Sequence, residues 1–462
     1  MIPVPGFEGR RVAVFGLGRS GITAARALQA GGAAPVLWDD GVSGRMQAEA
    51  EGFLVEDLTR ADWSGFAALV LSPGAPLTHP KPHWTVERAH QAGVPVIGDV
   101  ELFARALAAL PKDARPRVVA ITGTNGKSTT TALIGWVLKS AGLTVHIGGN
   151  IGIGVLALPQ PTPDAVYVIE VSSYQLDLTT SFAPDVAILT NVSPDHLDRH
   201  GGMEGYVAAK RRIFQAQGNE ALALVGVDED WGQGIAADLR KHGLQVESVS
   251  TGNAVEGYQA VPGQLSLNGQ PVADLSVARS LPGRHNAQNA AFAYAAARAL
   301  GVSHDAAVEG LMTFPGLAHR MEAVGRLGGV RFINDSKGTN ADAARQALAS
   351  YPSVFWIAGG KAKEGGIESL RDLFPHVAKA YLIGEAADAF AVTLADRPHV
   401  VANTMERAVQ LAAEDAANAG GEQVVLLSPA SASFDQYPDF EVRGEAFRAA
   451  VLALGAKPEP VA

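Results

Sequence analysis

Short runs of apolar, largely β-branched residues recur along the whole chain. Each is closed by a glycine-containing turn and followed by an Ala/Leu-rich amphipathic stretch. That alternation predicts parallel α/β units. The first is RVAVFGLGRSGITAARALQAGG (11–32), followed by strands in APVLWDD (34–40), AALVLSPG (67–74) and VPVIGDVEL (94–102). A proline- and charge-rich segment, LPKDARPR (110–117), reads as a linker. A second region contains strands in VVAIT (118–122), AVYVIEVSS (165–173), VAILTNVS (186–193) and ALALVGVD (221–228), with a helix around MEGYVAAKRRIFQAQ (203–217). The alternating segment GQLSLNGQPVADLSV (263–277) has an Asn-Gly pair at its middle and predicts a hairpin. NAQNAAFAYAAARALG (286–301) predicts a helix ending at Gly301. Proline and glycine in FPGLAHRME (314–322) mark a second boundary. Beyond it, strands in RFINDSK, SVFWIAGG, KAYLIGE and QVVLLSPAS again alternate with helices. The pattern gives three α/β domains in series.

Length agrees with this, since 462 residues correspond to about three domains at roughly 150 residues each. An apolar content of 47% is enough to fill several cores. The 37 Lys and Arg against 47 Asp and Glu leave a net charge of −10, which argues against nucleic acid or an anionic membrane as the main partner. With no cysteine, disulfides, thiolate-bound metals and thiol nucleophiles are excluded. The N-terminal segment lacks the apolar core of a signal peptide, and no apolar run approaches the ~18–20 residues that span a bilayer. A cytoplasmic, soluble chain is expected.

Two glycine loops carry candidate chemistry. Gly123-Thr124-Asn125-Gly126-Lys127-Ser128 lies between a strand and a helix with Leu133, Trp136 and Val137 on one apolar face. It is two residues shorter than the usual phosphate loop. Even so, it offers successive backbone N–H groups, a helix N-terminus, a lysine for outer phosphates and a hydroxyl for Mg²⁺. Such a site needs hard oxygen ligands. Glu170 ends an apolar strand, and Asp195, His196, Asp198 and His200 crowd the turn NVSPDHLDRHG, although solvated loop charges give the same pattern. From spacing alone Lys210, beside Arg211 and Arg212, reads as part of a basic surface patch. Near the N-terminus Gly16, Gly18 and Gly21 follow a strand, with Asp39 and Asp40 about twenty residues on. This fingerprint fits NAD or another phosphate-bearing ligand, and with the second loop it points to two phosphorylated ligands. The residues leave open an NAD-dependent oxidoreductase and a non-enzymatic nucleotide switch.

The motifs GTNGKST (123–129), EVSSYQL (170–176), DHLDRHG (195–201), YVAAK (206–210) and GRHNAQN (283–289) together resemble the Mur ligases, ATP-dependent amide-forming enzymes of peptidoglycan precursor synthesis. The resemblance extends over essentially the whole chain. Within the family SSYQL, FINDSKGTN and SPASASFDQYPDFEVRGEAF are most similar to the D-glutamate-adding branch. It implies a Rossmann-like domain over 1–110 for a UDP-sugar, a P-loop-ATPase-like domain with a mostly parallel sheet over 111–316 for ATP, and a Rossmann-like amino-acid-binding domain over 317–462.

The implied reaction joins D-glutamate to UDP-N-acetylmuramoyl-L-alanine through an acyl phosphate, in a cytoplasmic monomer that uses ATP and two Mg²⁺ ions. By the same resemblance Lys127, His196 and Lys210 are catalytic, and Ser128, Glu170, His196 and a CO₂-carbamylated Lys210 hold metal. ATP would be bound by Gly123, Thr124, Asn125, Gly126, Lys127, Ser128, Thr129, Asn286, Asn289, Arg320, Asp335 and Lys337. The UDP-sugar falls to Arg19, Ser20, Asp39, Asp40, Ser72, Pro73, Gly74 and Asn150. D-Glutamate falls to Thr339, Lys363, Ser433 and Phe440, with Lys361 as the alternative lysine. An acyl phosphate must be kept from water, so closure about hinges at 111–116 and 314–320 is expected.

Overall fold

The computed structural model describes residues 1–252, 256–278, 280–362 and 365–458, and its strands form three sheets. The first contains β1 (Arg11–Phe15), β2 (Ala34–Trp38), β3 (Leu54–Val55), β4 (Phe66–Leu71) and β5 (Val96–Ile97), in the order β3-β2-β1-β4-β5. Every pairing in it is parallel. Helix α1 (Arg19–Ala30) follows β1 and α2 (Asp99–Ala108) follows β5. The stretch VPVIGDVEL is therefore strand only at Val96–Ile97. Gly98 is extended and caps a helix whose first turn carries Asp99 and Glu101, where carboxylates favour the helix N-terminus.

The second sheet contains β6 (Arg117–Thr122), β7 (Thr144–Gly149), β8 (Ala165–Glu170), β9 (Val186–Leu189), β10 (Leu222–Gly226), β11 (Gln245–Ser250), β12 (Gly257–Val261), β13 (Gln264–Leu267) and β14 (Gln270–Asp274). Its order is β14-β13-β12-β11-β10-β9-β6-β8-β7. The expected hairpin is β13–β14, and Asn268 and Gly269 both take the positive φ that a two-residue turn demands. Around this sheet lie α3 (Lys127–Ser140), α4 (Ser173–Asp177), α5 (Leu197–His200), α6 (Met203–Arg211) and α7 (Arg284–Ala299). On α3, Leu133, Ile134, Val137 and Leu138 are buried while Trp136 is only half-buried, so the apolar face is rotated from the one expected.

The third sheet contains β15 (Glu322–Leu327), β16 (Val330–Asn334), β17 (Val354–Gly359), β18 (Val377–Ile383), β19 (His399–Asn403) and β20 (Gln423–Leu427), ordered β15-β16-β20-β17-β18-β19. Only the β15–β16 pair is antiparallel among its pairings. Alternate strand residues feed one core on each face, Phe332, Phe355 and Ile357 on one and Ile333, Trp356 and Ala358 on the other. The long helix α8 (Phe440–Ala453) closes the chain.

The chain forms two compact units, the first being Met1–Val261, Leu265–Ala273 and Gln288–Leu311, the second Pro262–Gln264, Asp274–Ala287 and Met312–Ala462. The first two sheets share the first unit, and one apolar core runs from Val12 and Phe103 to Val118 and Tyr167. Polar contacts fasten them further. The Ile2 N–H donates to the Leu156 carbonyl (2.8 Å) and the Gly98 N–H to that of Leu178 (3.1 Å). The Gln175 amide donates to both Asp99 oxygens, and Glu101 accepts from the backbone and hydroxyls of Thr180 and Ser181. A free hinge at 111–116 does not fit this fastening. Between Leu311 and Met312, by contrast, the chain passes from one unit to the other, close to the second expected boundary.

Candidate functional site

Strand β6 delivers its last residue, Thr122, to the shortened glycine loop. Gly123 has φ +146, and a Cβ there would stand 1.9 Å from the Thr190 hydroxyl. Gly126, at φ +82, caps α3, and a Cβ there would stand 2.7 Å from Asn289 Oδ1. The loop is braced from the end of β9. Thr124 N–H donates to the Asn191 carbonyl (3.0 Å), Asn125 N–H to Asn191 Oδ1 (2.9 Å), and Thr190 Oγ1 to the Asn125 carbonyl (2.7 Å). Lys127 Nζ donates to the carbonyls of Gly123 (2.9 Å) and Thr124 (2.8 Å). Asn289 Oδ1 also accepts from Thr130 Oγ1 (3.0 Å), which ties α7 to the first turn of α3.

Lys210 is not on the surface. It is 2% exposed on α6, and its Nζ donates to the Gly123 carbonyl at 2.6 Å. Tyr206, Val207, Lys210 and Phe214 occupy one buried helical face, which leaves Arg211 outside. Burial holds the Lys210 pKa well below the usual lysine range. The charge of Lys127 adds to this, and Asp195 and Glu170 pull the other way. Those three charges are thus gathered around one amine. Glu170 ends β8, nearly buried, with Oε1 accepting from Asn150 Nδ2 (2.8 Å), so a residue expected at the sugar nucleotide meets one expected at the metal. Ser128 is buried in the first turn of α3. His196 caps α5 at φ +53, half-exposed, with Nε2 3.4 Å from Asp195 Oδ2 and its ring 5.0 Å from that of Tyr174.

In the first sheet, Gly16 lies so close to Ser72 that a Cβ would stand 2.4 Å from the serine's own, which brings the loops after β1 and β4 together. Asp39 accepts from the N–H groups of Leu17 (2.6 Å) and Gly41 (2.7 Å). Its carboxylate shapes the loop, and this weakens the ribose role that an NAD site would give it. Asp40 contacts His83 Nε2 (3.2 Å) and Trp84 Nε1 (3.4 Å). Arg19 donates to the Gly152 carbonyl (2.9 Å), and Arg199 donates to that of Pro73 (3.4 Å) while lying over the Tyr174 ring. Ser20 is in the first turn of α1, and Gly74 lies in the turn after β4.

In the second unit, Lys337 Nζ sits 3.7 Å from the Phe440 ring centroid. Buried Arg443 gathers this corner, donating to Ser336 Oγ (3.0 Å), the Ser336 carbonyl (2.8 Å) and the Ser431 carbonyl (3.0 Å). Asp335 accepts from Ser428 Oγ (2.8 Å), and burial, opposed by that bond and by Arg320, pushes its pKa up to about 7. Lys361 and Ala432 exchange backbone hydrogen bonds, which brings that lysine's segment beside buried Ser433. Thr339 follows Lys337 in the same turn. Lys363 lies outside the described residues.

Comparison with known proteins identifies the family of the chain. The model of the Mur ligase middle domain matches residues 121–297, and that of the Mur ligase glutamate ligase domain matches 319–431. UDP-N-acetylmuramoylalanine–D-glutamate ligase of Caulobacter vibrioides is 62% identical over 463 aligned residues, covering 99% of this chain and 98% of the relative. The chain belongs to the Mur ligase family. The Phenylobacterium zucineum protein of the same name is 61% identical to this Mur ligase over 98% of each chain. Among solved structures, UDP-N-acetylmuramate–alanine ligase of Thermotoga maritima superposes with a TM-score of 0.57 at 16% identity over 96% of this chain and 99% of its own. MurF of Acinetobacter baumannii gives 0.56 at 22%, over 76% and 80%. At those identities the likeness is one of fold, a three-domain α/β architecture with mostly parallel sheets.

Mur ligases use ATP and generally Mg²⁺. Among the described residues no three His, Cys, Asp or Glu side chains converge into a metal cage. The oxygen donors Ser128 and Glu170, both buried, instead fit Mg²⁺, which keeps waters and phosphate oxygens among its ligands. No helix among the described residues is long and apolar enough to cross a membrane. Sequence reasoning missed Thr190, Asn191 and Arg443. The first two follow an apolar strand directly, the place where side chains turn outward at a sheet's C-terminal edge. An arginine inside EVRGEAF gives no sign of its burial.

Proposed function

We propose that this Mur ligase joins D-glutamate to UDP-N-acetylmuramoyl-L-alanine with conversion of ATP to ADP and phosphate. The observation that carries the reading is the 62% identity, over 99% of the chain, to a protein named for that ligation. The first sheet is read as a Rossmann-like binder of the UDP-sugar through Arg19, Ser20, Asp40, Ser72, Pro73, Gly74 and Asn150, with Asp39 shaping the loop. The second is a P-loop-ATPase-like centre, with Asn286 and Asn289 toward the base. The third is a Rossmann-like unit that contributes Arg320, Asp335 and Lys337 to the nucleotide and Thr339, Ser433, Phe440 and Lys363 or Lys361 to D-glutamate.

A carboxylate does not form an amide unaided in water. An oxygen of the L-alanyl carboxylate attacks the γ-phosphorus of ATP, the bond to the β-phosphate oxygen breaks, and ADP leaves. The D-glutamate amine then adds to the acyl carbon, loses a proton, and expels phosphate. Lys127 and the N–H groups of the 123–128 loop stabilise the charge of the transferring phosphoryl group. Bound Mg²⁺, held by Ser128, Glu170, His196 and carbamylated Lys210, would supply charge neutralisation. The depressed pKa of Lys210 supports that carbamate, because the neutral amine is the form that adds to CO₂ with loss of a proton.

The test is ADP release with Mg²⁺, ATP and UDP-N-acetylmuramoyl-L-alanine, amino acids being added singly. Stimulation by D-glutamate alone is expected. Stimulation by a different amino acid would overturn the substrate, and silence across the panel would leave a nucleotide-binding module. A carbamate resonance should appear with ¹³C-bicarbonate and be missing from Lys210→Met.

A further inference from the structure

Helix α5 is a single turn of four residues, too short to hold itself. Both its ends are in left-handed backbone, His196 at φ +53 and Gly201 at φ +70. For a histidine that conformation is strained and persists only where the surroundings impose it. The other end of the same turn is His200, which is almost wholly buried and fully engaged. Its Nδ1 lies 3.1 Å from Asp177 Oδ2 and its Nε2 3.0 Å from Ser173 Oγ. With Nδ1–H donating to the carboxylate, Nε2 is left to pair with the Ser173 hydroxyl. Both partners belong to α4, so the imidazole clamps α5 onto α4.

The ring is also the middle member of a row. It stacks on Tyr174 at 5.4 Å between centroids and 16° between planes, and meets Tyr206 at 5.4 Å and 51°. Beyond Tyr174 lies His196. Beyond Tyr206, the Thr124 hydroxyl of the glycine loop is 3.1 Å from the phenol oxygen, and Lys210 Nζ is 4.5 Å from the ring. One imidazole therefore links the strained backbone at His196 to the loop and to Lys210.

We propose that His200, oriented by Asp177 and bonded to Ser173, is a positioning residue that sets His196 on one side and the Tyr206–Thr124–Lys210 group on the other. Asp177 acts only through His200. This assignment deepens the ligase reading and rests on it for its kinetic part, while its structural part stands alone.

The test uses His200→Phe, which keeps both ring contacts and loses both hydrogen bonds, Asp177→Ala, and the double variant, all in the full chain. A misplacement of about 1 Å at the reacting groups costs roughly 10²-fold. His200→Phe is therefore expected to lower kcat by about ten- to a hundredfold, with KM for ATP changed by less than about threefold and the chain still folded at the assay temperature. The double variant should be no slower than His200→Phe alone. A kcat within about twofold of the unaltered enzyme, or fold-losses that multiply in the double variant, would overturn the proposal. An unaltered enzyme with no ADP release would instead defeat the ligase reading. The structural part is then read from the imidazole NMR signal of His196, assigned by His196→Gln. Movement of that signal in both His200→Phe and Asp177→Ala supports the clamp, and a stationary signal in either overturns it. Should His200→Phe fail to fold, Ser173→Ala and Asp177→Ala carry the same two readouts.

Discussion

At Gly126 the backbone has φ +82, and a side chain there would press on Asn289 Oδ1. Gly126→Ala is expected to cost about 1–2 kcal/mol in stability, from backbone conformation and crowding together. It should also weaken ATP binding at least tenfold by calorimetry, and unchanged affinity would show that the loop tolerates a different conformation. Lys210→Met keeps a buried, unbranched side chain and removes the amine. Folding should persist while D-glutamate-stimulated ADP release falls roughly a hundredfold or more, as the proposed loss of a carbamate that would hold Mg²⁺ requires. Lys210 also illustrates what the sequence does and does not disclose. Its place four residues after Tyr206 and three after Val207 puts it on the apolar face, a signal present in the spacing but masked by Arg211 and Arg212. That this face meets the glycine loop depends on Gly123, which follows β6 and lies 87 residues earlier in the chain, and no local pattern carries it.

Elements whose burial follows a regular period are legible. β1, β4, β8 and β9 are apolar runs because parallel strands are covered on both faces, and the β13–β14 turn is written in Asn268-Gly269. Elements set by capping or by distant partners are less so. The carboxylates after Gly98 look like the end of a strand until α2 is seen to place Asp99 and Glu101 against α4 and the residues that follow it. Gln175 there spends its amide on Asp99 and its carbonyl oxygen on the Ser172 N–H and hydroxyl. Gln175→Ala leaves a buried carboxyl, whose pKa burial already raises, with the Val100 N–H but without its side-chain donor, and should destabilise the first unit by about 1–3 kcal/mol in denaturant unfolding. Asp99→Asn keeps an acceptor for the same amide and should be close to neutral. A loss in Asp99→Asn as large as that in Gln175→Ala would mean that the carboxyl itself matters there as well as the hydrogen bond.

For the molecule as a whole, two compact units predict two calorimetric transitions, and a single two-state transition would count against that division. The second transition should carry a pH signature. Asp335 holds its proton up to about pH 7 when folded but releases it near the ordinary aspartate value of 3.8 when unfolded. Between those values the folded chain binds the extra proton, so this group's stabilising effect is full below the lower value and is lost as pH rises through the upper. The melting temperature of the second unit should fall between about pH 4 and pH 7, and Asp335→Asn should flatten that fall. An unchanged slope in the variant would place the titration elsewhere.

The fastening of the first sheet to the second also has a consequence in time. Ile2 is completed by Leu156, and Asp99 and Glu101 by residues 175–181. At a synthesis rate of about 5–20 residues per second, the first hundred residues wait several seconds on the ribosome before those partners emerge. During that wait Asp99 and Glu101 remain solvated, and the apolar face around Phe103 is open to chaperones. A nascent chain stopped short of residue 156 should therefore be held by them more tightly than one stopped beyond residue 181.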